Sequence, residues 1–293
     1  MQPLALFDDL VVTVPRTEGI KYAGSKLKLL PHILSLVRQV NPKIVLDGFA
    51  GTTRVSQALA QWRGKNYSDV RYKLNITLEK GAPLMKGDIE IRVTLDEEGA
   101  KYPLVLDWRT TQFQNDKDKP FAYVVGVNDA LDFRTQLNNE HILIPNGYFK
   151  KGENIVKIQF ASPIKTSGSA ITRYIDKEDT SEYIYSLFVP SDASTAFPVF
   201  DQPDLKAKFQ LNVTVPIDWK FVTNTDVDQF NESKKLATKQ YKFYQTKPIS
   251  TYVFAFATGN FEVITERKVG ENTLIFVPGS TPPTKQKLQE ISR

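Results

Sequence analysis

From residue 71 onward, apolar and polar residues alternate with a period of two. Tyr72, Leu74, Ile76 and Leu78 share one parity, and Ile89, Ile91, Val93 and Leu95 repeat the pattern. It returns at Phe209, Leu211, Val213 and Val215, and again at Tyr252, Phe254 and Phe256. Successive side chains of a strand point to opposite faces, so this alternation predicts antiparallel strands with one buried face. Gly, Pro, Asn and Asp clusters separate the runs, as at Lys80–Pro83, Asn146–Gly147 and Ser167–Ser169. Residues 62–277 are therefore expected to form one large β-unit.

The first sixty residues follow a different pattern. Leu27, Leu30, Ile33, Leu34 and Val37 recur at three- and four-residue spacing, which predicts a helix over 26–40. Pro42 closes it, because the residue before proline is pushed out of helical geometry. Residues 43–47 (Lys-Ile-Val-Leu-Asp) form a short apolar run suited to a sheet buried on both faces. A glycine turn over 48–51 and a second helix over 53–61 follow. The expected class is mostly β: a large antiparallel sheet or saddle domain behind a small helix–strand–helix fragment of Rossmann-like type. The expected division is 1–61, 62–277, and 278–293 as the start of a following domain.

Composition narrows the chemistry. The 293 residues include no cysteine, so disulfides and thiolate metal sites are excluded. Thirty-eight basic and 33 acidic residues are interspersed, which makes nucleic acid an unexpected partner. No apolar run is long enough to span a bilayer, and Asp8–Asp9 interrupts the only N-terminal apolar stretch. A cytoplasmic protein is expected, although a longer parent could be exported.

Two resemblances refine this picture. Residues 196–209, Ala-Phe-Pro-Val-Phe-Asp-Gln-Pro-Asp-Leu-Lys-Ala-Lys-Phe, resemble the F-P-C-F-D-E/Q-P-x-x-K-A-x-F signature of aminopeptidase-N-like zinc metallopeptidases. Residues 68–74, 141–160 and 251–262 are similar to further strands of the same N-terminal β-domain, in the same order. The resemblance implies a non-catalytic scaffold and cleft wall, partnered by a metallopeptidase catalytic domain that holds zinc and peptide substrate. The family's H-E-x-x-H helix has no counterpart, since His32 and His141 are the only histidines. No catalytic or metal residue is therefore assigned, and the chain alone is expected to be inactive. The position that binds the substrate amine in the family falls on Val189, which has no oxygen to offer.

Residues 18–33 and 45–57 resemble the start of Dam-like N6-adenine DNA methyltransferases, through Lys-Tyr-Ala-Gly-Ser-Lys (21–26) and Asp-Gly-Phe-Ala-Gly-Thr-Thr (47–53). Carried over by position, S-adenosylmethionine would meet Lys21, Tyr22, Gly24, Lys26, Asp47, Phe49 and Gly51. A glycine turn at a helix N-terminus brings backbone amides to a ligand carboxylate. The family's catalytic [DNS]-P-P-[YFW] tetrapeptide has no close match; Thr281–Thr284 lacks its aromatic residue. Two unrelated segments abut near residue 62 without a linker, as a chimeric or truncated reading frame would give. The alternatives are thus a cofactor-binding methyltransferase fragment and a β-domain interaction module. Asp201, Gln202 and His141 are expected to be structural, and Phe197, Phe200, Phe209 and Trp219 to be core.

Overall fold

The computed structural model describes residues 54–110, 113, 118–130, 136–138, 140–268 and 271–278. One α-helix, α1 (Arg54–Asn66), leads into the strands. In chain order these are β1 (Tyr67–Thr77), β2 (Leu84–Leu95), β3 (Leu104–Asp107) and β4 (Phe121–Val127). Next come β5 (Gln136–Asn138), β6 (His141–Ile144), β7 (Gly152–Pro163) and β8 (Ile171–Ile175). They continue with β9 (Glu182–Ser186), β10 (Ala207–Pro216), β11 (Lys220–Thr223) and β12 (Val227–Ser233). The last are β13 (Thr238–Phe243), β14 (Phe256–Gly259), β15 (Phe261–Lys268) and β16 (Glu271–Pro278).

The class is mostly β, as the alternation predicts, with one refinement. The seven-stranded sheet, ordered β12-β13-β10-β1-β2-β7-β4, is mixed, because β1 and β10 run parallel in register Val70↔Ala207 to Thr77↔Thr214. Alternation reports which face is buried and is silent on strand direction. A four-stranded sheet (β11-β14-β9-β8), a three-stranded sheet (β3-β6-β5) and the hairpin β15-β16 complete the described fold.

The inward faces of the sheets meet in one core. Tyr72, Leu74, Ile76, Phe209, Leu211 and Val213 supply it from the large sheet, and Ile184, Phe221 and Phe256 from the four-stranded one. Phe209 and Phe254 stack at the centre with ring centroids 4.5 Å apart. Phe197, Phe200 and Trp219 are fully buried, as expected of core aromatics.

Tyr252 departs from its pattern. Residues Thr251–Val253 form a 3-10 turn, and Tyr252 is exposed while Phe254 and Phe256 are buried. A period of two over three aromatic positions is also satisfied by a turn followed by a strand.

Helix α1 runs without interruption through residue 62. Its terminal residue Asn66 donates from Nδ2 to the Trp62 carbonyl at 2.6 Å, a side-chain bond within the last turn. Trp62 packs edge-on against Tyr67 and Tyr102 at 6.0 and 5.4 Å, so the helix is docked to the β-unit.

Candidate functional site

Two neighbouring features sit where the signature segment 196–203 passes between the sheets. One is a polar junction centred on Asp107, at the end of β3. Its Oδ2 accepts from Arg63 Nη1 at 3.2 Å and from the Asp201 amide at 2.8 Å. Its Oδ1 lies 3.2 Å from His141 Nδ1. The backbone of Asp107 exchanges both hydrogen bonds with Val199, at 2.7 and 3.1 Å. One carboxylate thus joins α1, β3, β6 and the signature.

Burial alone would raise the Asp107 carboxyl and lower the Arg63 guanidinium. The charge of each partner, with the bonds from His141 and the Asp201 amide, outweighs burial, so Asp107 is held below the usual carboxylate range and Arg63 is raised. Tyr67, desolvated beside Arg63, is pushed up to about 12. Tyr72 is driven higher still by burial, and its hydroxyl accepts the Phe200 amide at 3.0 Å.

The neighbouring bonds extend this junction. Asp201 accepts the Ser194 amide through Oδ2 (3.0 Å) and the Thr251 hydroxyl through Oδ1 (2.7 Å). Gln202 donates from Nε2 to the Ala60 carbonyl of α1 at 2.8 Å. Arg109 donates to Ser194 Oγ (2.9 Å), the Ser191 carbonyl (2.7 Å) and Asp192 Oδ1 (2.6 Å), which fixes the segment after Val189. A hollow of about 460 Å³ opens over this junction, lined in part by Arg63, Arg109, His141, Ser191 and Asp201. Arg63 is matched by Asp107 and Arg109 by Asp192, so these charges brace α1, β3 and the segment after Val189.

The second feature is the outward face of the four-stranded sheet. Tyr174 and Tyr185 stand 50% and 42% exposed on β8 and β9, and Leu187 and Val189 continue the line at 59% and 55%. Tyr183, on the same face beside Tyr174, is buried with its ring 5.0 Å from that of Phe261. Val189, where the family resemblance expects an amine-binding oxygen, presents a bare aliphatic side chain at the rim of this strip.

The structure therefore places Asp201, Gln202 and His141 in bracing roles. It also adds Arg63, Asp107 and Arg109, which sequence reasoning missed. Their partners lie as far as 94 residues away, and no local motif marks them. The positions carried over from the methyltransferase resemblance, Lys21, Tyr22, Gly24, Lys26, Asp47, Phe49 and Gly51, lie outside the described residues, as do the helix expected over 26–40, the strand over 43–47 and Thr281–Thr284. Among the described residues, no group of three or more His, Asp or Glu is placed to hold a metal ion, and no helix is long and apolar enough to cross a membrane.

Residues 67–253 match the Peptidase M1 N-terminal domain. The chain belongs to that family. It is 28% identical to "Aminopeptidase N" of Streptomyces lividans over 184 residues, covering 60% of this chain and 20% of that protein. "Probable aminopeptidase 2" of Sulfurisphaera tokodaii is 30% identical over 148 residues, 49% of this chain and 18% of its own length. "Glutamyl aminopeptidase" of Sus scrofa is 26% identical over 184 residues, 60% and 19% respectively. The matched segment spans about a fifth of each of these relatives.

Proposed function

We propose that this chain serves as the non-catalytic N-terminal domain of an aminopeptidase-N-like metallopeptidase, a scaffold whose outward strip forms one wall of the substrate cleft. The observation that carries this reading is the family match over 67–253, together with the exposed line Tyr174–Tyr185–Leu187–Val189, which ends beside the signature segment. A soluble surface rarely leaves such a line uncovered without a partner. The residues here do not fit zinc: His141 is engaged with Asp107, and His32 has no second histidine at helical spacing. Zinc and the hydrolytic step belong to a catalytic domain of another segment, with peptide as its substrate.

The test is a chimera in which residues 67–253 replace the matched segment of the Streptomyces lividans protein. It should fold and hydrolyse aminoacyl anilides. Tyr185→Asp with Leu187→Asp in the chimera should abolish that activity while leaving the isolated chain folded. A folded chimera indifferent to both substitutions overturns the reading.

For residues 19–61 the methyltransferase-like pattern supports a second, separate reading, S-adenosylmethionine at the Asp47–Gly51 turn with Lys21, Tyr22, Gly24, Lys26 and Phe49 nearby. Calorimetry with the cofactor, on the whole chain and on Asp47→Ala and Gly51→Val, decides it. Saturable heat lost in both variants supports it, and no heat in the parent chain removes it.

A further inference from the structure

The outward face of the seven-stranded sheet carries a second site. The register brings two rows of side chains across all seven strands. One runs Tyr123–Gln159–Asp88–Asn75–Asn212–Lys242–Gln229, and the next Phe121–Ala161–Lys86–Thr77–Thr214–Gln240–Asn231. Their parity is opposite to that of the buried Ile76, Ile89 and Val213, so both rows face away from the core, although Ala161 in the second row is itself covered. From β12 to β2 the rows line a hollow of about 640 Å³. Strands four places apart in the sheet border the same hollow, so the face is concave here.

Three features of this face point to one kind of ligand. The hollow is walled by amides and hydroxyls, groups that both donate and accept, with charges that nearly cancel: Lys242 is paired with Asp228 at 2.8 Å. Its planar groups are already aligned, since Asn212 donates to Asn75 Oδ1 at 2.6 Å and Asn75 to Asp88 Oδ2 at 2.5 Å. Groups fixed before binding lose little further freedom, which favours a weakly held polar ligand. At the β4 end of the same rows, Phe121 and Tyr123 stack at 5.2 Å, and Tyr123 is 60% exposed, offering an aromatic platform.

We propose that these rows bind a linear oligosaccharide laid across the strands, with one sugar stacked on Tyr123 and the others hydrogen-bonded in the hollow. Neighbouring strands are about 4.8 Å apart, so the rows extend for roughly 29 Å, room for several sugar units in line. A charged polymer would find no field here, and an apolar helix would find no apolar groove. This site is independent of the peptidase reading, because it lies on the sheet face turned away from the core and from the Tyr185 strip.

The experiment is calorimetric titration of the full chain with cellohexaose, maltohexaose and chitohexaose, and with a neutral hexapeptide for comparison. At least one oligosaccharide should bind with a Kd tighter than about 1 mM, roughly 4 kcal/mol. Tyr123→Ala and Asn212→Ala should each weaken it about tenfold. Lys73→Ala, on the same face but outside both rows, should leave it unchanged. Tyr123 is exposed, so that variant keeps the fold, and matched thermal melts verify it. No saturable binding to any of the three sugars, binding indifferent to both row variants, or hexapeptide binding with the same variant pattern would each overturn the assignment.

Discussion

The outward faces of the two larger sheets differ, although both sheets bury their inner faces in one core. The seven-stranded sheet shows water two rows that are chiefly amide, hydroxyl and charge, aromatic only at the β4 edge. The four-stranded sheet shows Tyr174, Tyr185 and then Leu187 and Val189. A sheet solvated on one face normally alternates apolar-in with polar-out, and the large sheet obeys that rule. The smaller sheet breaks it at the point where the signature segment emerges. The proposed cleft wall rests on that break, and the intact rule beside it shows that the exposure is local.

The comparison depends on the two sheets sharing a single core, and the stacked pair Phe209–Phe254 is where that can be broken. Phe254→Ala removes a fully buried ring that also meets Phe188 and Phe197. It should cost about 3–5 kcal/mol. Denaturant melts should show one cooperative transition shifted as a whole. Two separated transitions would mean that the sheets are independent units and that their outer faces cannot be compared as parts of one domain.

Asp107 joins α1, β3, β6 and the signature segment by polar means, beside the core that the two sheets share. Asp107→Asn keeps the shape but removes the charge that Arg63 needs, and should cost about 3 kcal/mol at neutral pH. The pH dependence has a definite sign. The folded-state carboxyl is depressed, so its stabilisation is present above the unfolded value of about 3.9 and is lost as pH falls through the folded value. Wild type and Asp107→Asn should therefore converge below about pH 4. A gap that stays constant down to the lowest accessible pH would show that the charge of Asp107 is not what joins α1 to the signature.

How much of this was legible beforehand differs between the regions for a physical reason. The core positions of β1, β2 and β10 could be read because burial on one face writes a period of two into the sequence. The signature segment was legible as a motif, and the structure gives Asp201 and Gln202 hydrogen bonds that hold that segment in place. Their partners were not legible: Gln202 reaches Ala60 across 142 positions and Asp201 meets Asp107 across 94. Contacts of that span are set by topology and leave no local pattern. The Tyr185 strip was hidden for a related reason. Tyr183 and Tyr185 share a parity, but their neighbour Ile184 is wholly buried, so β9 reads as apolar on both faces with nothing to say which is outward.

The smallest expected effects sharpen the comparison most, because they ask whether each outer face matters to the fold at all. Tyr185→Ser with Leu187→Ser removes apolar surface that is exposed among the described residues. Stability should change by no more than about 0.5 kcal/mol, the usual range for surface sites. Self-association at high concentration should fall, as read by sedimentation velocity. Thr77→Ala with Thr214→Ala on the large sheet should be equally mild for stability, and should leave association unchanged because that face is already polar. If the tyrosine–leucine pair instead proved as costly as a core substitution, the strip would be packed against part of this chain. It would then be a covered surface, and the proposed cleft wall would have to be sought elsewhere on the domain.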